Sequence, residues 1–371
     1  MAGSFTTGAP AIRALTSLRG LAAMAVVFQH YSVTAQWHAA RPIPSLVPHG
    51  YVAVDFFFVL SGFILCYTHA QAFERGEKGA YLDFMIRRAA RLLPLQAVTL
   101  GLVLLSGWAS LWYLGVNRYF DPATLWYDLP GNLLLLQGFG FFRNMNGPSG
   151  TISVELGAYA LFPLLVVLAL HRQAVVRMVT FGVALAGLVW LATLQPRLGL
   201  DVGTAWGGVV RGTTEFVLGM GAFAVWRAGA ARFLDGDVAM TLLAGGIAAF
   251  MIAGIDLGAA LLFPPAVVAA ARNRDVAARV MGWGVFYFLG EVSFSLYLLH
   301  DMFRIPYVVA VSTLFPARLD MGPALLMALL GGLMIIPIAT LTYYTVEVPG
   351  RRWLRGVLVG WTGAGAERVK A

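Results

Sequence analysis

The sequence predicts an all-α integral membrane protein, a single bundle of about ten transmembrane helices with its N- and C-termini in the cytoplasm. Three observations predict it. Hydrophobic residues make up 59% of the 371 and charged residues only 12%, about half the charged share of a soluble domain. Mean hydropathy is strongly positive. Ten stretches approach the roughly 20 apolar residues that a spanning helix needs.

The ten run, in order, over residues 14–33, 51–70, 92–114, 151–170, 174–194, 207–226, 238–255, 257–271, 290–312 and 322–345. The first is too long for a leader peptide and has no small-residue cleavage pattern before His38, so it reads as a permanent helix. The eighth is short and contains Pro264 and Pro265, and is expected to be broken or tilted. The apolar stretch 127–142 is too short to span and reads as re-entrant or interfacial. Residues 1–361 form one transmembrane domain on this reading. Residues 362–371 are small and polar, a tail expected to be disordered.

Charge placement sets the orientation. With the N-terminus inside, 19 of the 26 Lys and Arg fall on the inner side and seven on the outer side or outer helix ends, as the positive-inside rule requires. That rule, with anionic lipid near basic flanks, also accounts for the formal charge of +8. No basic run interleaved with aromatics stands clear of the apolar spans, which argues against nucleic acid as a partner. Cys66 is the only cysteine, so no intramolecular disulfide can form. No internal repeat of the transporter kind is visible. There is no HExxH, cysteine cluster, phosphate loop or dinucleotide glycine fingerprint, so neither a metal site nor a permanently bound cofactor is expected.

Ionisable groups within apolar spans are costly and therefore mark function by default. Arg19 and His30 lie eleven residues apart on the first helix. That separation is about 1100°, close to three full turns, and rises about 16.5 Å. Both then project from one face, the arginine near the cytoplasmic surface and the histidine deeper. A phosphate-bearing donor with a long arm would suit that stripe. A histidine hydrogen-bonded inside a bundle is the competing reading. The alternation of helix direction puts Asp55, Glu155 and Arg211 at a depth similar to that of His30. A base, two carboxylates and a cation at one level suit general acid–base catalysis, and a charge-balanced structural network is the alternative. Arg87 and Arg91 share a face four residues apart, and with Arg88 they read as a phosphate clamp or as plain cytoplasmic flanking charge. Ser293, Tyr297 and His300 are spaced to share one side of the ninth helix, and Glu215 lies within the sixth. For these, packing hydrogen bonds compete with a role at a site.

Seven motifs in register resemble the acyltransferase-3 family of membrane-bound O-acyltransferases over nearly the whole chain. They are RALTSLRGLAAMAVVFQHY, which holds Arg19 and His30; GYVAVDFFFVLSGFIL, which holds Asp55; FMIRRAARLLP, with Arg87, Arg88 and Arg91; TISVELGAYALFPLL, with Ser153 and Glu155; RGTTEFVLGMGAF, which begins at Arg211; GEVSFSLYLLHDMF, with Tyr297 and His300; and TVEVPGRRWL. The chain departs from the family where a tryptophan often precedes the fourth-helix Ser-Val-Glu, and at Glu347-Val-Pro349, where the family usually has a basic residue before the proline.

The resemblance implies transfer of an acyl group, usually acetyl from acetyl-CoA, to a hydroxyl of a glycan or other envelope acceptor. It implies that Arg19 is required and that His30 is essential, either as a base on the acceptor hydroxyl or as a transient acyl carrier. His30, Asp55 and Glu155 are the expected catalytic residues. Arg19, Arg87, Arg88, Arg91, Ser153, Arg211, Tyr297 and His300 are the expected substrate-binding residues. The expected partners are acyl-CoA, a glycan or lipid-linked glycan, membrane lipid and the polysaccharide-synthesis machinery, and the expected location is the bacterial inner membrane. Exopolysaccharide, lipopolysaccharide O-antigen, a lipid-linked sugar and a small secondary metabolite all remain open as acceptors. A transporter or flippase for an acyl or glycan carrier is the alternative of a different class.

Overall fold

The computed structural model describes residues 12–117, 119–201, 205–315 and 317–362. The described residues contain no strand, only an isolated bridge between Ala39 and Leu319. The helices are α1 Arg13–Gln36, α2 Ala53–Glu74, α3 Ala80–Leu114, α4 Leu125–Leu133, α5 Ser149–Ala169, α6 Ala174–Thr193, α7 Ala205–Arg227, α8 Asp237–Ala253, α9 Asp256–Arg272, α10 Val276–Met281, α11 Gly284–Glu291, α12 Ser293–Leu314, α13 Met321–Thr342 and α14 Val348–Thr362.

Six helical runs among the described residues are long and apolar enough to cross a membrane: Gly50–Glu74, Ala80–Tyr113, Ser149–Ala169, Ala174–Thr193, Ser293–Leu314 and Met321–Thr362. Four of the ten expected spans, α1, α7, α8 and α9, are helices outside that set. α8 and α9 are 17 residues long. α1 carries Arg13, Arg19 and His30, and α7 carries Arg211, Glu215 and Arg227.

The start of α3 and the course of α9 differ from expectation. α3 begins at Ala80 rather than 92, so Arg87, Arg88 and Arg91 lie in the body of a helix and not in the loop before it. Hydropathy locates only the apolar part, whereas Arg and Ala are good helix formers, and Asp83 pairs with Arg87 one turn on, at 2.8 Å. The stretch 127–142 forms the nine-residue α4 and a short 3-10 turn at Gln137–Phe139. α9 runs unbroken through Pro264 and Pro265. Pro264 and Pro265 lack only the two N–H groups that would bond the carbonyls four residues back, at Ala260 and Leu261. The residues of the expected tail beyond Thr362 lie outside the described residues.

The chain divides into two compact units. The first comprises Met1–Gln29, Val47–Glu77 and Ala160–Ser293. Its tightest packing is α2 on α7. A Cβ on Gly62 would sit 2.0 Å from the Phe216 carbonyl oxygen, and one on Gly219 would sit 2.0 Å from that of Val59. The backbones approach this closely because glycine has no side chain, the usual device for membrane helices that gain nothing from hydrophobic exclusion between themselves. Gly290 of α11 meets the backbone of Thr16 in the same way.

The second unit comprises His30–Leu46, Lys78–Tyr159 and Phe294–Ala371. It holds α3, α4, most of α5 and α12 to α14. α13 and α14 form one run of 42 residues, about 63 Å at 1.5 Å per residue, which is about twice the hydrocarbon thickness of a bilayer. Between them lies a π-helical turn, Tyr343–Glu347. α14 then packs on α3, and a Cβ on Gly350 would lie 2.6 Å from the Pro94 side chain.

Candidate active site

In the second unit His30, in the last third of α1, faces His300 of α12. Their rings meet edge to face at 5.0 Å between centroids. His300 is fully buried. Its Nδ1 lies 2.7 Å from the Tyr297 carbonyl oxygen, one turn back. A carbonyl can only accept, so Nδ1 carries the proton and neutral His300 presents Nε2 as an acceptor. That nitrogen is buried with no hydrogen-bond partner among the described residues. An acceptor at the ring that faces His30 can take an N–H from an imidazolium or an O–H from a bound hydroxyl.

The neighbouring polar groups come from α5 and the loop before it. Tyr297 Oη shares a hydrogen bond with Thr151 Oγ1 at 2.6 Å, and Thr151 also donates to Pro148 O. Asn146 Nδ2 donates to the Leu298 carbonyl. Arg304 pairs with Asp301 at 2.7 Å and donates to Thr34 Oγ1, whose own hydroxyl donates to the His30 carbonyl. Sequence reasoning missed this last chain. Its one signal was the 301/304 spacing, which puts opposite charges on one helical face.

Ser153 does not present a free hydroxyl proton. It donates to Leu135 O at 2.5 Å and accepts from Gly138 N–H, and so fixes the turn before α5. Glu155 accepts from Tyr159 Oη at 2.5 Å. The Arg88 guanidinium stacks near the rings of Phe84 and Tyr159, at 5.6 and 5.9 Å. Arg87 is held by Asp83.

In the first unit Arg19 docks on the end of α11. It donates to Gly290 O at 2.6 Å and to Ser293 Oγ at 2.9 Å. Asp55 and Arg211 form a two-pronged ion pair joining α2 to α7. Asp55 is fully buried and the arginine side chain 12% exposed. Glu215, one turn on from Arg211, is buried within electrostatic reach of both. Of the four groups expected at one depth, the structure thus joins Asp55 to Arg211. His30 and Glu155 have other partners, His300 and Tyr159.

A domain model of the acyltransferase type, Acyl_transf_3, matches residues 12–344. The chain belongs to the acyltransferase-3 family. This acyltransferase is 29% identical over 319 residues to acyltransferase MdmB of Streptomyces mycarofaciens, an alignment covering 78% of each chain. It is 32% identical over 166 residues to protein 2 in the picA locus of Rhizobium radiobacter, covering 43% of this chain and 80% of that one. It is also 27% identical over 165 residues to O-acetyltransferase OatA of Staphylococcus aureus, which takes in 43% of this acyltransferase and 26% of that longer protein. No solved structure matches it.

Proposed function

We propose that this acyltransferase is a membrane O-acyltransferase of the bacterial inner membrane. It moves an acyl group, acetyl in the first instance, from its CoA thioester on the cytoplasmic side to a hydroxyl of a cell-envelope glycan such as exopolysaccharide, O-antigen or a lipid-linked sugar. The likeness to an O-acetyltransferase supports the reaction type. The observation that carries the mechanism is the His30–His300 pair.

His30 acts as general base. It takes the proton of the acceptor hydroxyl as that oxygen attacks the thioester carbonyl carbon. The new C–O bond forms, the C–S bond breaks, and the thiolate leaves as thiol with the proton returned from His30. His300, held by Tyr297 with Nε2 as acceptor, positions the imidazole and receives its N–H while the proton is in transit. The Arg87, Arg88 and Arg91 group supplies the positive charge that a CoA nucleotide needs.

Inside-out membrane vesicles supplied with radiolabelled acetyl-CoA test this reading. Label is expected in extractable glycan or lipid with the native protein, and at least 100-fold less with His30→Ala, the low end of a general base's contribution. Equal labelling by the two proteins would remove His30 from the mechanism.

A further inference from the structure

The domain-model match ends at 344, and the seventh motif, TVEVPGRRWL, carries the chain on into α14, which lies against the arginine-bearing helix. Arg88 and Arg91 of α3 outnumber the carboxylate beside them: Glu155 attracts Arg88 electrostatically and is itself bonded to Tyr159. Asp83 is taken by Arg87 and Glu347 by Arg351, while no carboxylate lies within 4 Å of Arg88 or Arg91 among the described residues. Arg88 Nε is buried with no hydrogen-bond acceptor among the described residues. Buried N–H groups without acceptors are rare, and each needs an explanation such as an absent ligand.

Arg351 is the third member of this group. It and Arg91 both act electrostatically on Arg88, from α14 and from α3. Its position is fixed from below: Glu347, buried in the π-helical turn, accepts from Ser295 Oγ at 2.7 Å and from Arg351 at 2.6 Å. Such turns recur at functional sites because they re-aim the side chains that follow. Close packing of Gly350 on Pro94 holds α14 in place. Three guanidiniums in a partly buried place, set against Glu155 and Glu347, keep an excess of positive charge that a further anion would neutralise. Arginine is also the residue best shaped for a phosphate, through its fork of N–H donors.

We propose that α14 completes a phosphate site, in which Arg351 with Arg88 and Arg91 holds the phosphates of the nucleotide-linked thioester donor. This rests on the donor reading given above and adds Arg351 to it. An anionic phospholipid headgroup offers the same chemistry and is separated by the test.

The full chain in neutral detergent is titrated with coenzyme A by calorimetry at several salt concentrations. The proteins are native, Arg88→Gln, Arg351→Gln, Arg351→Lys and, as a control in an exposed loop of the other unit, Arg274→Gln. The expected result is that Arg351→Gln and Arg88→Gln each weaken binding about tenfold or more and flatten its salt dependence. Arg351→Lys should recover part of the loss and Arg274→Gln should match native. The Lys variant guards against a mere folding defect, since it keeps the charge beside Glu347. Equal coenzyme A binding by all five proteins overturns the role of α14 while leaving the donor reading intact. If the native protein ignores coenzyme A, the donor reading falls. The site is then a lipid site, and the proposal is overturned, when native mass spectrometry shows phosphatidylglycerol retained by native protein and lost by Arg351→Gln. Binding of neither ligand overturns the proposal as well.

Discussion

Asp55 and Arg211 bond through both prongs of the guanidinium, and one partner is entirely out of solvent. A buried pair is weak evidence of net stability, but removing one member leaves the other as an uncompensated charge. Asp55→Ala is therefore expected to destabilise the protein by about 3–5 kcal/mol, read as a fall in unfolding temperature in detergent. The double variant Asp55→Ala/Arg211→Met, which removes both charges, should regain most of that loss. If Asp55→Ala unfolds at the native temperature, the pair is not the anchor that its geometry implies. The residue scale also separates expected site members by what their atoms already do. Ser153 spends its hydroxyl on backbone, whereas His300 keeps a buried nitrogen without a partner among the described residues.

Helices α2 and α7 show how one element is positioned by another. Gly62 and Gly219 bring backbone against backbone, and it is this approach that sets Asp55 and Arg211 at bonding distance. A methyl group at Gly219 has nowhere to go, because its neighbour is a carbonyl and not a flexible side-chain end. Gly219→Ala is expected to cost about 1–3 kcal/mol, the usual range for overpacking. Gly101→Ala on α3, with nothing within 4 Å of the added carbon, should be neutral or stabilising through helix propensity by up to about 1 kcal/mol. Parallel thermal melts of the two variants check this. Equal melting temperatures would show that α2 and α7 can part without cost. α14 belongs to the same scale, because its place against α3 decides whether Arg351 joins Arg88.

Across the whole molecule, six helical runs satisfy length and apolarity among the described residues, while the charge distribution was read with ten spans. The two views differ on α1, α7, α8 and α9. A Cys66→Ser background, with single cysteines at position 274 or 197, tests the difference. The ten-span arrangement places Arg274 inside and Arg197 outside. A membrane-impermeant maleimide should then label position 274 only in inside-out vesicles and position 197 only in right-side-out ones. Labelling of both from the same side would exclude the arrangement.

The sequence by itself determined the helical class, the membrane character and the family. Each is carried by local pattern: apolar run length, the spacing of Arg19 and His30, and short motifs in order. The tertiary structure alone decided which polar groups meet. Nothing in the spacing of His30 and His300, 270 residues apart in the chain, says that their rings touch. Nor does the sequence show that Asp55 answers Arg211 or that α14 returns to α3. The start of α3 was hidden for a related reason, since hydropathy follows what a residue buries and not the backbone that carries it. Contacts between distant segments depend on how glycines and prolines let whole helices approach, and that is a property of the packed chain.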